Sequence, residues 1–197
     1  TTSGGGNANI NATALADNTD LILSGAADIT VTGVIGDVVA AGLTGDLTVT
    51  TANNVIADTV SIEAGSGVTT VTAYVYDTVT IDATNQDDND VLTLLGAGAM
   101  VVNNLKGNVD ANGSGSLTVD VVSPTDATIT IDSDRTTSVQ AGLLEDTDDL
   151  ILEGTGNITI ARSTNGVEAA KTDGLNTKDL DASATSGTIV VNTAALT

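Results

Sequence analysis

Short segments that alternate apolar and polar residues succeed one another along this chain at roughly ten-residue intervals. They run at Leu21–Leu23, Asp28–Thr32, Asp46–Thr50, Thr59–Glu63, Val68–Thr72, Thr78–Asp82, Ser116–Asp120, Ala127–Ile131, Asn157–Ile160 and Thr188–Val191. Most alternate Val, Ile or Leu with Thr, Asp or Ser, which is the period of a strand with one buried face. Gly, Asn or Asp separates them. Val34–Ala41 and Gly166–Asp173 are the best helical candidates, and both are too short to stand alone. The pattern predicts an almost purely β protein.

A longer repeat lies above this rhythm. Leu21-Ile-Leu-Ser-Gly25, Leu92-Thr-Leu-Leu-Gly96 and Leu150-Ile-Leu-Glu-Gly154 align at offsets of 71 and 58 residues. The same offsets carry Ile10-Asn-Ala-Thr onto Ile81-Asp-Ala-Thr and onto Val139-Gln-Ala-Gly. This reads as about 2.5 copies of one 58–71-residue unit: 1–9 a flexible terminus or linker, 10–80 the first copy, 81–138 the second, 139–197 a degenerate third. Repetition of strand-turn steps favours an irregular right-handed parallel β-solenoid, in which each coil stacks on the last. Tandem β-sandwiches are the alternative. Aromatic content favours the solenoid: two Tyr, no Phe and no Trp in 197 residues leave a core of Val, Ile, Leu and Ala. A narrow coil can use such side chains in stacked ladders, whereas sandwich cores usually want large rings.

With no Cys and no His, disulfide scaffolds, zinc fingers and His- or Cys-based triads are excluded. Five Lys and Arg against 26 Asp and Glu give a net charge of −21, which cannot build a phosphate-binding surface, so no nucleic-acid partner is expected. No apolar run approaches membrane-spanning length, so no membrane insertion is expected. The first residues show neither a basic nor an apolar signal region, and the chain reads as a mature form or an excised piece.

The acids gather at Asp17-Asn-Thr-Asp20, Asp87-Asp-Asn-Asp90 and Glu145-Asp-Thr-Asp-Asp149, and under the repeat offsets these clusters coincide. Asp17, Asp88 and Asp146 share one position, in a loop just ahead of the Leu-x-Leu strand. Two carboxylates about 5 Å apart repel by roughly 1–3 kcal/mol. A hard divalent cation removes that repulsion, and Asp, Asn and Thr oxygens suit Ca²⁺, whereas Zn and Cu want His or Cys. The expected metal ligands are therefore Asp17, Asp20, Asp87, Asp88, Asp90, Glu145, Asp146, Asp148 and Asp149. The plainer alternative is a set of solvated acidic turns.

Leu43-Thr-Gly-Asp-Leu-Thr-Val-Thr50, Ala64-Gly-Ser-Gly-Val-Thr-Thr-Val-Thr72 and Asp77-Thr-Val-Thr-Ile-Asp-Ala83 resemble the β-strand repeats of RTX-type bacterial surface proteins. That group includes calcium-binding S-layer proteins and large adhesins exported by type I secretion. The resemblance implies a secreted, cell-surface structural module that binds calcium. Its partners would be neighbouring copies in a lattice or fibre, and cell-surface glycan. Gly65-Ser-Gly67 opens the glycine-aspartate motif of that group, yet Thr69 stands where its Asp belongs, which leaves calcium to the loop clusters.

Three further features complete the reading. Tyr74 and Tyr76, taken as strand neighbours, share a face and fill a surface edge. Arg135 reads as an exposed ion pair with Asp132 or Asp134, so neither feature supports a glycan-cleaving enzyme and no catalytic residue is expected. Thr-x-Thr steps at Thr30/Thr32, Thr48/Thr50, Thr70/Thr72, Thr78/Thr80 and Thr128/Thr130 suggest an ice- or surface-binding solenoid as one alternative function, a non-catalytic spacer of a polysaccharide-active enzyme being the other. Their uneven separations of 18, 22, 8 and 50 residues argue against a regular ladder.

Overall fold

The computed structural model describes residues 6–122, 128–141, 144, 148–161 and 179–191. Every regular element among them is a strand. In chain order these are β1 (Ala8–Asn11), β2 (Asp20–Gly25), β3 (Ile29–Val34), β4 (Asp37–Leu43), β5 (Leu47–Thr51) and β6 (Thr59–Glu63). There follow β7 (Thr69–Ala73), β8 (Thr78–Asp82), β9 (Val91–Gly96), β10 (Ala99–Leu105), β11 (Asn108–Gly113) and β12 (Leu117–Val121). The last are β13 (Thr128–Ser133), β14 (Thr137–Gln140), β15 (Asp149–Gly154), β16 (Ile158–Ala161), β17 (Asp179–Thr185) and β18 (Ile189–Val191). Val34–Ala41 is thus the end of β3 and most of β4; the other helical candidate, Gly166–Asp173, lies outside the described residues.

The odd strands form one nine-stranded sheet in sequence order, the even strands form the other, and every pairing is parallel. This is the β-solenoid: each coil lays one strand on each sheet, then climbs one step. Odd strands turn into even ones along one edge of the stack, called here the first edge. Even strands turn into odd ones along the second.

Alternation then builds the core. Val31, Val49, Val71 and Leu94 stand in register on one inner face, as do Val60, Val79, Met100 and Leu117 on the other. All eight are buried. Stacking like on like suits β-branched side chains with stiff rotamers, and the narrow interior needs no ring. Both tyrosines lie outside the strands, in the turn between β7 and β8, and Tyr76 is exposed. The strand-face reading of this pair is corrected: Asp77 N–H bonds back to the Tyr74 carbonyl at 3.0 Å and closes a turn there.

The coil is not of fixed length. Leu21 opposes Val38, 17 residues on, whereas Ile158 opposes Ile189, 31 residues on. Corners absorb most of the difference, and the register slips by one residue within the β2–β4, β3–β5, β10–β12 and β15–β17 pairings.

The long repeat also has a geometric meaning. The 71-residue offset carries β2 onto β9, an odd number of strands, and so moves the motif to the other sheet. The 58-residue offset carries β9 onto β15, an even number, and stays on one sheet. Local conformation is nonetheless kept. Gly25, Gly96 and Gly154 all have positive φ (111°, 93° and 93°), as do Gly33 (72°) and its 71-residue counterpart Asn104 (59°). At Gly96 a Cβ would lie 2.2 Å from the Ala73 carbonyl oxygen, so the chirality and the close approach both demand glycine there.

Candidate functional site

The connections that lead into the three acidic clusters start alike. Ala12, Ala83 and Ala141 are buried at the loop starts. Their carbonyls accept the N–H groups of Leu15 (2.9 Å), Gln86 (3.0 Å) and Leu144 (3.3 Å). Just upstream, Asn11 and Asp82 make the same Asx turn, each accepting both the amide and the hydroxyl of the Thr two residues on. Asp82 also accepts Asn104 Nδ2 at 3.0 Å. Burial pushes the Asp82 pKa up, but the bonds from Thr84 and Asn104 outweigh it and hold the carboxyl below its ordinary value.

Placement separates these loops. Asp17 lies between β1 and β2 on the first edge, whereas Asp87, Asp88 and Asp90 lie between β8 and β9 on the second. Asp17 and Asp20 are exposed; Asp20 opens β2 opposite Asp37. In the β8–β9 loop, Asp87 N–H donates to Asp90 Oδ2 at 3.0 Å, while Asp87 and Asp88 point to solvent. The carbonyls of Asp87, Asp88 and Asp90 converge instead on Gly107, where a Cβ would meet them at 2.8, 3.3 and 2.5 Å. Asp148 is buried at the end of the β14–β15 connection and Asp149 opens β15. Glu145 and Asp146 lie outside the described residues. Among the described residues no three carboxylates converge on a common point.

One slot in these loops is polar without need. Gln86 is buried where the equivalent loops carry Leu15 and Leu144, and its Nε2 has no hydrogen-bond partner. Gln86→Leu should therefore stabilise the protein by about 1 kcal/mol, since an unsatisfied buried amide costs about 1–3 kcal/mol. A lower urea midpoint for Gln86→Leu than for wild type would refute the equivalence of the slots.

Many carboxylates outside the clusters have a clear structural task. Asp28 Oδ1 accepts the Asp46 N–H (3.0 Å), and Asp46 Oδ1 accepts the Val68 N–H (3.1 Å), one coil further each time. Asp37 does the same for Ser61, Asn108 for Thr130, Asp134 for Thr155 and Asn157 for Thr188. Most of these acceptors stand at strand entrances, and Asp134 in the turn after β13; each side-chain oxygen ties its coil to the backbone of the next. Bonds from the Thr155 hydroxyl and amide hold Asp134 below the ordinary carboxylate value.

A file of three in-register acids escapes a linear reading, because 22 and 21 residues separate its members: Asp110 pairs with Asp132, and Asp132 with Glu153, on the outer face of β11, β13 and β15. Burial, then Asp110, Glu153 and Asp134, pushes the Asp132 pKa up.

Arg135 overturns its sequence reading. Rather than an exposed ion pair, it is buried in the β13–β14 turn, with Nη1 on the Gly98 carbonyl (3.0 Å) and Nη2 on those of Gly96 (2.9 Å) and Asn112 (3.1 Å). The cause lies in the first-edge corner, where Gly98, Gly115, Gly156 and Gly187 hold the successive turns around it. Gly115 packs on the Gly98 carbonyl, Gly156 on that of Arg135, and Gly187 on that of Gly156. Arg135 stands in this file where a glycine would, and its side chain runs back over two coils in the trench left by Gly113 and Gly115. Burial pulls its pKa down. The same edge buries Asp77, whose carboxylate accepts the Thr51 hydroxyl.

Comparison with protein-family models, with curated proteins and with solved structures finds no match to this chain.

Proposed function

We propose that this chain is a structural module of a secreted bacterial cell-surface protein, an S-layer or adhesin segment, stiffened by calcium and without catalytic activity of its own. The supporting observation is the coil stack itself. Two parallel nine-stranded sheets, bonded from coil to coil by Asp and Asn at the corners, make a semi-rigid element about 40 Å along its axis at 4.8 Å per step. Such an element suits spacing and assembly, with neighbouring copies meeting through sheet edges or coil ends and cell-surface glycan as a further partner.

Calcium is assigned to the acidic loops, and the β8–β9 loop offers most: exposed Asp87 and Asp88, and Asp90 with one oxygen uncommitted. The ion would draw these side chains together from open positions, so weak extracellular-type affinity is expected. At a dissociation constant near 10⁻⁴ M, millimolar calcium contributes about 1.4 kcal/mol per site. That raises the melting temperature by about 3–6 °C, reversed by EDTA, with Mg²⁺ a poor substitute. Asp88→Asn should halve the effect or more. If calorimetry detects no calcium binding and the melting curve ignores both EDTA and Asp88→Asn, the loops are solvated turns. Sedimentation checks the assembly reading: a chain that stays monomeric at high concentration, with calcium and without it, is not a lattice module.

A further inference from the structure

We infer that the outer face of the odd-stranded sheet from β1 to β9 is an ice-binding surface. Register brings the Thr-x-Thr steps together that sequence spacing had set apart. Thr30, Thr48, Thr70 and Thr93 form one file, with Asn9 ahead of them. Thr32, Thr50 and Thr72 form the next, with Asn11 ahead and Leu95 behind. The 18- and 22-residue separations are those of two coils of unequal length, and the corners take up the difference. Thr78/Thr80 belongs to the other sheet, in β8, and Thr128/Thr130 to β13, shifted to another file by the pairing of Asn108 beside Thr130.

Three properties of this face point to crystalline water. Its repeat is two-dimensional: about 4.8 Å between coils, near the shorter oxygen repeat on a prism face of hexagonal ice, and about 6.6 Å between alternate residues of a strand, about a tenth short of the longer one. Its hydroxyls are uncommitted. Those of Thr30, Thr48, Thr50, Thr70, Thr72 and Thr93 bond to no protein group, and Thr32 makes only a 3.5 Å contact with the Ile10 carbonyl. At the corners Thr13, Thr19, Thr51, Thr84 and Thr155 donate to protein acceptors, whereas the outward strand threonines Thr78, Thr80 and Thr118 of the even sheet share the free hydroxyl, so the register and the lack of charge set this face apart. Third, the ten positions carry no charge in a chain of net charge −21. The threonine file gives way to Asp110, Asp132 and Glu153 only beyond β9. A charged group orders its own hydration shell, whereas a stiff β-branched threonine can hold a methyl and a hydroxyl in a lattice. The outer face of the even sheet lacks this character, because Glu63 and Asp82 stand in register there.

The test is uptake into a slowly growing ice front, together with thermal hysteresis. It uses wild type, Thr48→Lys and Thr70→Lys within the array, and Thr118→Lys on the even sheet, with circular dichroism checking each fold. Wild type and Thr118→Lys should enter the ice and shape the crystal; whichever array variant keeps the wild-type spectrum should lose both effects. The inference is overturned if wild type is excluded from ice, if a folded array variant enters as wild type does, or if Thr118→Lys loses uptake equally. Binding of wild type to crystalline cellulose or calcite, but not to ice, would also overturn it. Calcium plays no part in this test, so its result is independent of the assignment to the acidic loops.

Discussion

Arg135→Ala should cost about 3 kcal/mol of stability, read as a lower urea midpoint with an unchanged slope. Three carbonyls, those of Gly96, Gly98 and Asn112, lose a cationic donor. Each such bond contributes about 1.5–3 kcal/mol net, and a buried carbonyl left without a partner adds to the loss. Two things reduce the sum: the guanidinium no longer has to be desolvated, and Nε, buried without a partner, disappears with it. For a chain of this size the melting temperature should fall by about 6–12 °C. Arg135→Met refills the trench without donating, and so separates packing from hydrogen bonding. If bonding dominates, Met restores little; full stability of Arg135→Ala would remove the guanidinium from any structural role.

Gly113→Ala should be as damaging, at about 3 kcal/mol or more. Gly113 has φ of 141°, and a Cβ there would lie 1.8 Å from the Gly96 carbonyl oxygen and 2.9 Å from Arg135 Nη2. The backbone oxygen cannot yield without breaking the turn that joins β9 to β10. Gly6→Ala, with nothing within 4 Å, is the control and should be neutral. The double variant Gly113→Ala/Arg135→Ala should cost less than the two singles together, because Arg135→Ala removes one of the two collisions. Simple additivity in urea melts would mean that the two residues do not share a trench.

Strand existence was legible in the sequence because alternation is a local property: Thr78–Asp82 was read as a strand and is β8 with those bounds. The choice of a solenoid rested on the scarcity of rings, and the core of stacked Val, Ile and Leu agrees with it. Register was not legible. Nothing local fixes how much chain each corner takes up, so Thr48 and Thr70 looked unrelated although they are neighbours. The same gap hid the pairing of Asp110, Asp132 and Glu153. Arg135 misled for another reason. Flanked at short range by Asp132 and Asp134, it suggested an ion pair, but its partners are the carbonyls of residues 23 to 39 positions earlier.

The displacement of a repeated motif from one sheet to the other has a consequence for how such a chain can grow. A duplicated segment holding an even number of strands re-enters the stack in phase and adds whole turns. One holding an odd number re-enters half a turn out, so every outward residue of the copy faces the opposite way from its parent. The β2 segment and its β9 counterpart, on opposite sheets, both turn their alternate leucines inward, with Leu23 and Leu94 buried, so the two walls of this coil are alike to the residues inside it. Outside they are not, and duplication by half-turns is therefore a route by which one ancestral surface can be presented on both sides of a single rod.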